Sequence, residues 1–449
     1  MSGTGFPDPS LGPYISQILA GYLQPSSPLF AGQQTFDGYT FTGLTTPEQF
    51  CPIVCFPPPA GEPSNWAGMS FAESLKTGAA LLDQGIVPQL MAGDNVTVFG
   101  YSQSATLATI EMKDLIAQAG TANHPTLDQL DNLHVVLIGD PNNATGGILD
   151  RFQFQFPDNL SLPFLDIPLS VGTTPTEHIA TDIYTGQYDG WASFPQDPLN
   201  LLADLNALIG IVTVHPYYSA YSAEQLADTI HIGTIGDANF YSIPENLPIL
   251  QFMYNGGTAG QFFGDAFSPW ARLFINWGYG NAGDPEVNGL HKIPGGDFIN
   301  GSAYQQAIGV AGGPWAMTPT GQLYEGSGVM GFFEKMDPLQ MLAGVQNAFI
   351  QSLIGPWADV AASGSGDLLT HGDIGTINTI TDILQFITGY DLVNAIDQLL
   401  ISGWNDITTA LGVQDFVGPD ALLSGPLLPG DLPLDLLGAG FGLLNSLGA

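Results

Sequence analysis

Basic side chains are nearly missing from this sequence: six Lys and Arg stand against 42 Asp and Glu, a formal net charge of −36 at pH 7 over 449 residues. That balance excludes a nucleic-acid partner, whose phosphates need a basic surface to displace their counterions. It also argues against simple electrostatic attachment to anionic lipid. Cysteine is scarce too. Cys51 and Cys55 in FCPIVCF are the only two, enough for one local disulfide or for two buried thiols, and too few for a full zinc site. Long apolar runs are lacking: the longest uncharged stretches, such as 338–358, are interrupted by Gln, Asn, Ser and Pro, so no transmembrane segment is expected. The opening MSGTGFPDPS has neither a basic n-region nor an apolar h-region, so it does not read as a signal peptide. Charged residues make up 11% against 45% hydrophobic. The surface therefore rests on Asn, Gln, Ser, Thr and Gly around a substantial core, which suits a secreted or envelope protein.

Within that core the pattern alternates. Ser70-Phe71-Ala72-Glu73 reads as a capping box opening a helix, with Phe71, Leu75 and Leu82 on one face and Gly85 at its end. The strand-like NVTVF (95–99) follows, then a helix from about Gln103 to Ala119, then a second apolar strand, LHVVLI (133–138). Strand, helix, strand in that order implies parallel pairing through a right-handed crossover, and so an α/β fold with a mostly parallel central sheet flanked by helices; the serine turn between the first strand and its helix makes the α/β-hydrolase type the expected one. Residues 142–177 read as an excursion off the sheet, and HIATDIYTGQYDG (178–190) as a strand with a polar exit. Asp197-Pro198 reads as the start of a helix reaching Gly210, after which the apolar, strand-like IVTV (211–214) ends on His215. Beyond residue 286 the composition turns to Gly, Leu and small residues, with helical patterns at 338–354, 376–388 and 391–402. The expected division is a catalytic domain over 1–285 and a mostly helical extension over 286–449, a lid or a poorly ordered tail.

The chemistry centres on GYSQS (100–104). A serine at the tip of a tight strand-to-helix turn is how α/β-hydrolases expose a nucleophile, usually as G-x-S-x-G; here Ser104 replaces the last glycine. Ser102 then needs an acid and a histidine later in the chain, in that order. Of the histidines at 124, 134, 178, 215, 231, 291 and 371, His215 lies after the helix that follows a candidate acid. Asp189, in GQYDGW, is that acid; Asp140 competes for the role at the exit of the preceding strand, Asp182 is mid-strand, and Asp197 is explained as a helix cap. An oxyanion hole needs the backbone N–H of Gln103 and a second donor from an early loop, for which Ser2-Gly3-Thr4-Gly5-Phe6-Pro7 is the candidate. Taken singly, each signal has an ordinary explanation: G-x-S-x-S recurs by chance, a histidine on an apolar segment is commonly structural, and Asp-Gly is commonly a turn. Their order and context make the case.

GTGFPDPS, TPEQF, VFGYSQSATLA, GDPNNATGGILDRF, YDGWASFPQDPLNLLADLNALIG and VHPYY, taken in order, resemble the mycobacterial PE-PPE domain, a serine-hydrolase family related to cutinases. YSIPENLPILQF and INWGYG extend the resemblance over about residues 3–285. The family pattern accepts serine at position 104. The resemblance implies Ser102 as nucleophile, Asp189 as orienting acid, His215 as base, and Gln103 with Thr4 and Gly5 of the Gly-Thr-Gly loop as oxyanion elements. It implies no cofactor and no metal, an ester or lipid small molecule as partner with transient contact to a lipid surface, and a secreted or cell-envelope location. The family carries a strand ahead of its Gly-Thr-Gly loop; here either an upstream segment supplies it or the sheet lacks an edge strand. Residues 286–449 match no part of the pattern. The activity expected is a serine esterase or lipase acting on apolar acyl esters; an acyltransferase between glycolipids and a non-catalytic lipid-binding protein on the same scaffold are the alternatives.

Overall fold

In a computed structural model, the described residues are 1–23, 40–151, 161–195 without 163 and 169, 200–279 without 228, and a few positions between 345 and 357. They fall into two compact units, the first within Met1–Ser193 and Ile211–Pro244, the second within Phe194–Gly210 and Glu245–Ala449.

The first unit is built on a sheet. Its strands are β1 (Val96–Tyr101), β2 (Leu133–Ile138), β5 (Ala180–Gly186), β6 (Ile230–Ile235) and β7 (Ala238–Ile243), in the order β1-β2-β5-β7-β6. The first four in that order run parallel, and β6 turns back antiparallel on β7. The short β3 (Ser161–Leu162) and β4 (Ile167–Pro168) pair with each other away from it, within the stretch expected to leave the sheet. The apolar runs of β1 and β2 are buried along most of their length, as strands covered on both faces require. Among the described residues β1 is the outer strand, and the Met1 amine donates to the Phe99 carbonyl at 3.0 Å.

Helices cover the sheet. α2 (Phe71–Ala92) begins at the expected capping box, with Ser70 and Glu73 bonded reciprocally. It does not end at Gly85. That glycine has open space where a side chain would stand, so the helix runs through it and stops at Gly93, whose φ of 84° is the left-handed turn that closes a helix. α3 (Gln103–Ala117) packs on α2 and β1, with Leu107, Met112 and Leu115 buried. On the other face α1 (Tyr14–Ile18), the π-turn Leu19–Leu23 and α7 (Ala223–Ala227) bring Ile18, Tyr22 and Leu226 onto Phe99, Val136, Ile138 and Tyr184. Two further short α-helices of this unit are α4 (Leu127–Leu130) and α5 (Ile148–Arg151).

α6 (Leu201–Thr213) corrects the expectation of a strand over 211–214. The β-branched Ile211, Val212 and Thr213 suggest β structure, but they cost a helix only tenths of a kcal/mol each. Ala203, Asn206, Ala207 and Gly210 bury one continuous helical face, and the helix carries on through its last turn. Asp197 and Pro198 lie outside the described residues; Asn200 Oδ1 accepts the Ala203 N–H at 3.1 Å at the helix start. In the second unit α8 (Gln251–Tyr254) leads to α9 (Gly257–Trp277), where the buried Arg272 guanidinium donates to the Glu245 carbonyl at 2.8 Å. The helices expected at 376–388 and 391–402, and the rest of the 286–449 extension apart from those few positions, lie outside the described residues. Cys51 and Cys55 form a disulfide.

Three buried carboxyls are lifted from their ordinary range, chiefly by desolvation: Glu48 and Glu111 to about 8, and Asp140 to about 6. An acid whose folded pKa is raised keeps its proton in the native state through the window between its unfolded and folded values, so stability is lost as pH climbs that window. The Met1 amine, lowered to about 6 by burial, opposes this between pH 6 and 8. The carboxyls outnumber it. The thermal midpoint should therefore be higher at pH 5 than at pH 8, and Glu111→Gln should weaken that dependence; a midpoint that rises with pH across this window would contradict the assignment.

Candidate active site

Ser102 sits between β1 and α3 with φ 57° and ψ −117°, a backbone conformation that non-glycine residues rarely adopt. The turn is tight enough that a Cβ on Gly100 would lie 2.8 Å from the Ser104 carbonyl oxygen and 3.0 Å from Ala105 Cα. Ser104 does more than stand in for a small residue. Its buried hydroxyl accepts the Tyr101 N–H at 2.8 Å and donates to the Tyr101 carbonyl at 3.1 Å, closing the elbow on itself.

His215 opens a 3₁₀ helix, His215–Ala220, with Pro216 in its first turn. Its Nε2 lies 2.7 Å from Ser102 Oγ, and its Nδ1 lies 2.7 Å from Asp189 Oδ2. A carboxylate only accepts, so Nδ1 carries the proton and Nε2 is left to accept from the serine. The Tyr101 hydroxyl donates to the His215 carbonyl. Gly139, at φ 56°, brings bare backbone up to the ring: a Cβ there would meet His215 Cε1 at 3.2 Å.

Asp189 lies on the turn after β5, where Tyr188 takes a φ of 63°, and is fully buried. Its Oδ1 accepts the Trp191 N–H at 2.9 Å, and its Oδ2 also accepts the Tyr218 hydroxyl at 2.7 Å. Asp140 does not join this group. Its oxygens accept the Asn142 N–H at 2.9 Å and the Thr174 hydroxyl at 2.7 Å, so it shapes the loop after β2. Of the other described histidines, His134 pairs with Asp182 at 2.9 Å on β2 and β5.

The Gly-Thr-Gly loop approaches the serine closely: a Cβ on Gly3 would lie 3.0 Å from Ser102 Cβ. Thr4 Oγ1 donates to Gln103 Oε1 at 2.7 Å, while Gln103 Nε2 donates to the Gln49 carbonyl at 3.1 Å and Ser74 Oγ at 2.8 Å. The buried Gln103 side chain thus clamps the loop to the elbow. The Gly5 N–H donates to the Glu48 carbonyl at 3.0 Å and is committed to holding the loop. Among the described residues no group of His, Cys, Asp and Glu is placed to hold a metal ion.

The PE-PPE domain model matches residues 37–280, more than half of the chain. The protein belongs to that family. Among its curated relatives, the esterase PE16 of Mycobacterium tuberculosis H37Rv is 38% identical over 292 residues, covering 64% of this chain and 49% of that one. The PE family protein PE3 of the same strain is 34% identical, covering 62% and 54%. The diacyltrehalose acyltransferase Chp2, also from that strain, is 28% identical, covering 45% and 55%. The chain thus spans about half the length of these relatives. No solved structure matches it.

Sequence reading of this PE-PPE domain missed the roles of Tyr218, Trp191, Ser104 and the Gln103 side chain. The signal for Tyr218 was present: it stands three residues after His215 in HPYY, and the 3₁₀ turn, at three residues per turn, lines the two side chains up. The elbow makes one expectation. Gly100→Ala, which presses a methyl group onto the backbone of Ser104 and Ala105, should shift Ser102 and cut its labelling rate by a fluorophosphonate about tenfold or more, since misplacing a reacting group by about 1 Å can cost about 100-fold. Circular dichroism of the purified variant checks that the fold survives.

Proposed function

We propose that this PE-PPE domain is a serine carboxylic ester hydrolase, cutinase-like in chemistry and directed at esters of apolar acyl chains. The observation that carries the reading is the unbroken hydrogen-bonded chain from Ser102 Oγ through His215 to the buried Asp189 carboxylate, with its serine on a strained elbow. His215 Nε2 takes the hydroxyl proton as Ser102 Oγ attacks the ester carbonyl carbon. Asp189 holds the ring in the tautomer this needs. The oxyanion that develops is met by the Gln103 N–H at the start of α3 and by the Thr4 N–H. Collapse breaks the C–O bond, and the Nε2 proton passes to the departing alcohol. Water, deprotonated by His215, then attacks the acyl carbon; the bond to Ser102 Oγ breaks, His215 Nε2 returns the proton to Ser102, and the acid is released. No cofactor or metal takes part in these steps.

The name of the esterase PE16 supports ester chemistry. The name of Chp2 favours a second reading, in which a sugar hydroxyl replaces water as the acceptor. Both share every step up to the acyl-enzyme and differ only in what reaches it. The Cys51–Cys55 disulfide fits a location outside the reducing cytosol, secreted or in the cell envelope. Among the described residues no helix is long and apolar enough to cross a membrane.

Intact-mass labelling with a fluorophosphonate should give one adduct on the parent chain and none on Ser102→Ala. Hydrolysis of p-nitrophenyl esters should drop by roughly 10⁴-fold or more in Ser102→Ala and His215→Ala. The rate should fall on the acid side, as protonation of His215 Nε2 removes the acceptor for the Ser102 proton. Activity that survives Ser102→Ala, or stays flat to pH 4, would sink the mechanism. Products formed with trehalose present divide the two readings: free acid means hydrolysis, a new sugar ester means transfer.

A further inference from the structure

The Asp189 carboxyl group has no exposure to solvent, so its charge depends entirely on protein donors. Three reach it. Trp191 N–H serves Oδ1, while His215 Nδ1–H and the Tyr218 hydroxyl converge on the same oxygen, Oδ2, each at 2.7 Å. Their convergence follows from the helix type. A 3₁₀ helix has three residues per turn, so positions i and i+3 eclipse. An α-helix would set Tyr218 about 60° around the axis from His215, where the 3₁₀ turn lines the two up.

The hydroxyl has little freedom. It accepts the Gly186 N–H at 2.7 Å, which directs its own proton toward Oδ2. The phenol is fully buried, and the Tyr22 hydroxyl donates to the Tyr218 carbonyl at 2.9 Å. Burial and the neighbouring Asp189 charge hold the phenol well above its ordinary pKa, so it remains a donor. Tyr101, a second tyrosine that feels the Asp189 charge, spends its hydroxyl on the His215 carbonyl.

We propose that Tyr218 is a positioning residue for the His215–Asp189 pair: its hydroxyl pins Oδ2 in line with Nδ1 and draws off part of that oxygen's negative charge. The inference rests on the reading of Ser102, His215 and Asp189 as the catalytic chain. Without the hydroxyl, Oδ2 offers more charge to the Nδ1–H and favours the imidazolium, while the carboxylate gains freedom to rotate. Turnover should then fall and the acid limb of the rate should move to higher pH.

The test compares the parent with Tyr218→Phe on a soluble p-nitrophenyl ester, with fluorophosphonate titration counting competent sites. The Phe variant loses one oxygen. Its kcat should fall about tenfold with KM nearly unchanged, the scale of a lost hydrogen bond to a charged group. The acid limb should rise by about half a pH unit, and the downfield proton resonance of His215 Nδ1 should move further downfield. Unchanged kcat, limb and resonance overturn the assignment. So does a drop in kcat with limb and resonance unmoved, which would make Tyr218 structural only. If Tyr218→Phe does not fold, Tyr22→Phe loosens the Tyr218 backbone without touching its phenol and should move the limb the same way by less; an unmoved limb overturns the assignment there too. A parent protein that neither hydrolyses ester nor takes the label overturns the proposed reaction itself, and the role of Tyr218 with it.

Discussion

A single desolvated carboxylate sets the terms for the region around Ser102. Asp189 is sealed from bulk solvent, and an unpaired charge at that depth would cost several kcal/mol. Its three donors come from two separate stretches of chain: the Trp191 amide from its own turn, and His215 and Tyr218 from the 3₁₀ helix. Satisfying one buried charge therefore docks the turn after β5 against the helix that carries the histidine. The tautomer of His215 and its hydrogen bond to Ser102 follow from that docking.

The serine side is fixed by a different device. Ser102 holds its strained backbone because the Ser104 hydroxyl bridges both backbone groups of Tyr101, and because Gly100 leaves room for α3 to start almost on top of β1. Gln103 then extends the order outward. Its side chain joins Thr4 of the early loop to Gln49 and to Ser74 on α2. One residue thus offers a helix-start amide beside the serine and ties down the loop expected to supply the second amide. Buried polar networks of this kind are worth most when fully satisfied, and this one uses both ends of the amide.

The fold was largely legible beforehand because its signals are local. β1, β2 and β5, the capping box of α2 and the start of α3 follow from apolar runs, cap residues and the order of elements. The failures are local propensity losing to packing. Gly85 suggested a helix end, yet α2 runs on to Gly93; Ile211–Thr213 suggested a strand, yet the small buried face of α6 carries the helix through them. At the site, chain order alone pointed to Ser102, Asp189 and His215, and the structure brings these three within hydrogen-bond distance. Order alone left Asp140 open, and only its bonds to Asn142 and Thr174 show where that carboxylate is spent.

What the sequence determined by itself is a matter of composition and short-range pattern: an acidic chain, a parallel α/β core, a serine on a strand-to-helix turn, and an acid and a histidine in the order such a serine needs. Those follow from steric and hydrophobic rules that act over a few residues. Only the tertiary structure decided that Tyr218 shares an oxygen with His215, that Gln103 holds the Gly-Thr-Gly loop, and that the Gly5 amide is spent on Glu48. Each of these joins groups 29 to 99 residues apart along the chain, or turns on which backbone amide is already engaged. Hydrogen bonds are directional over a few tenths of an ångström, and no linear pattern carries that information.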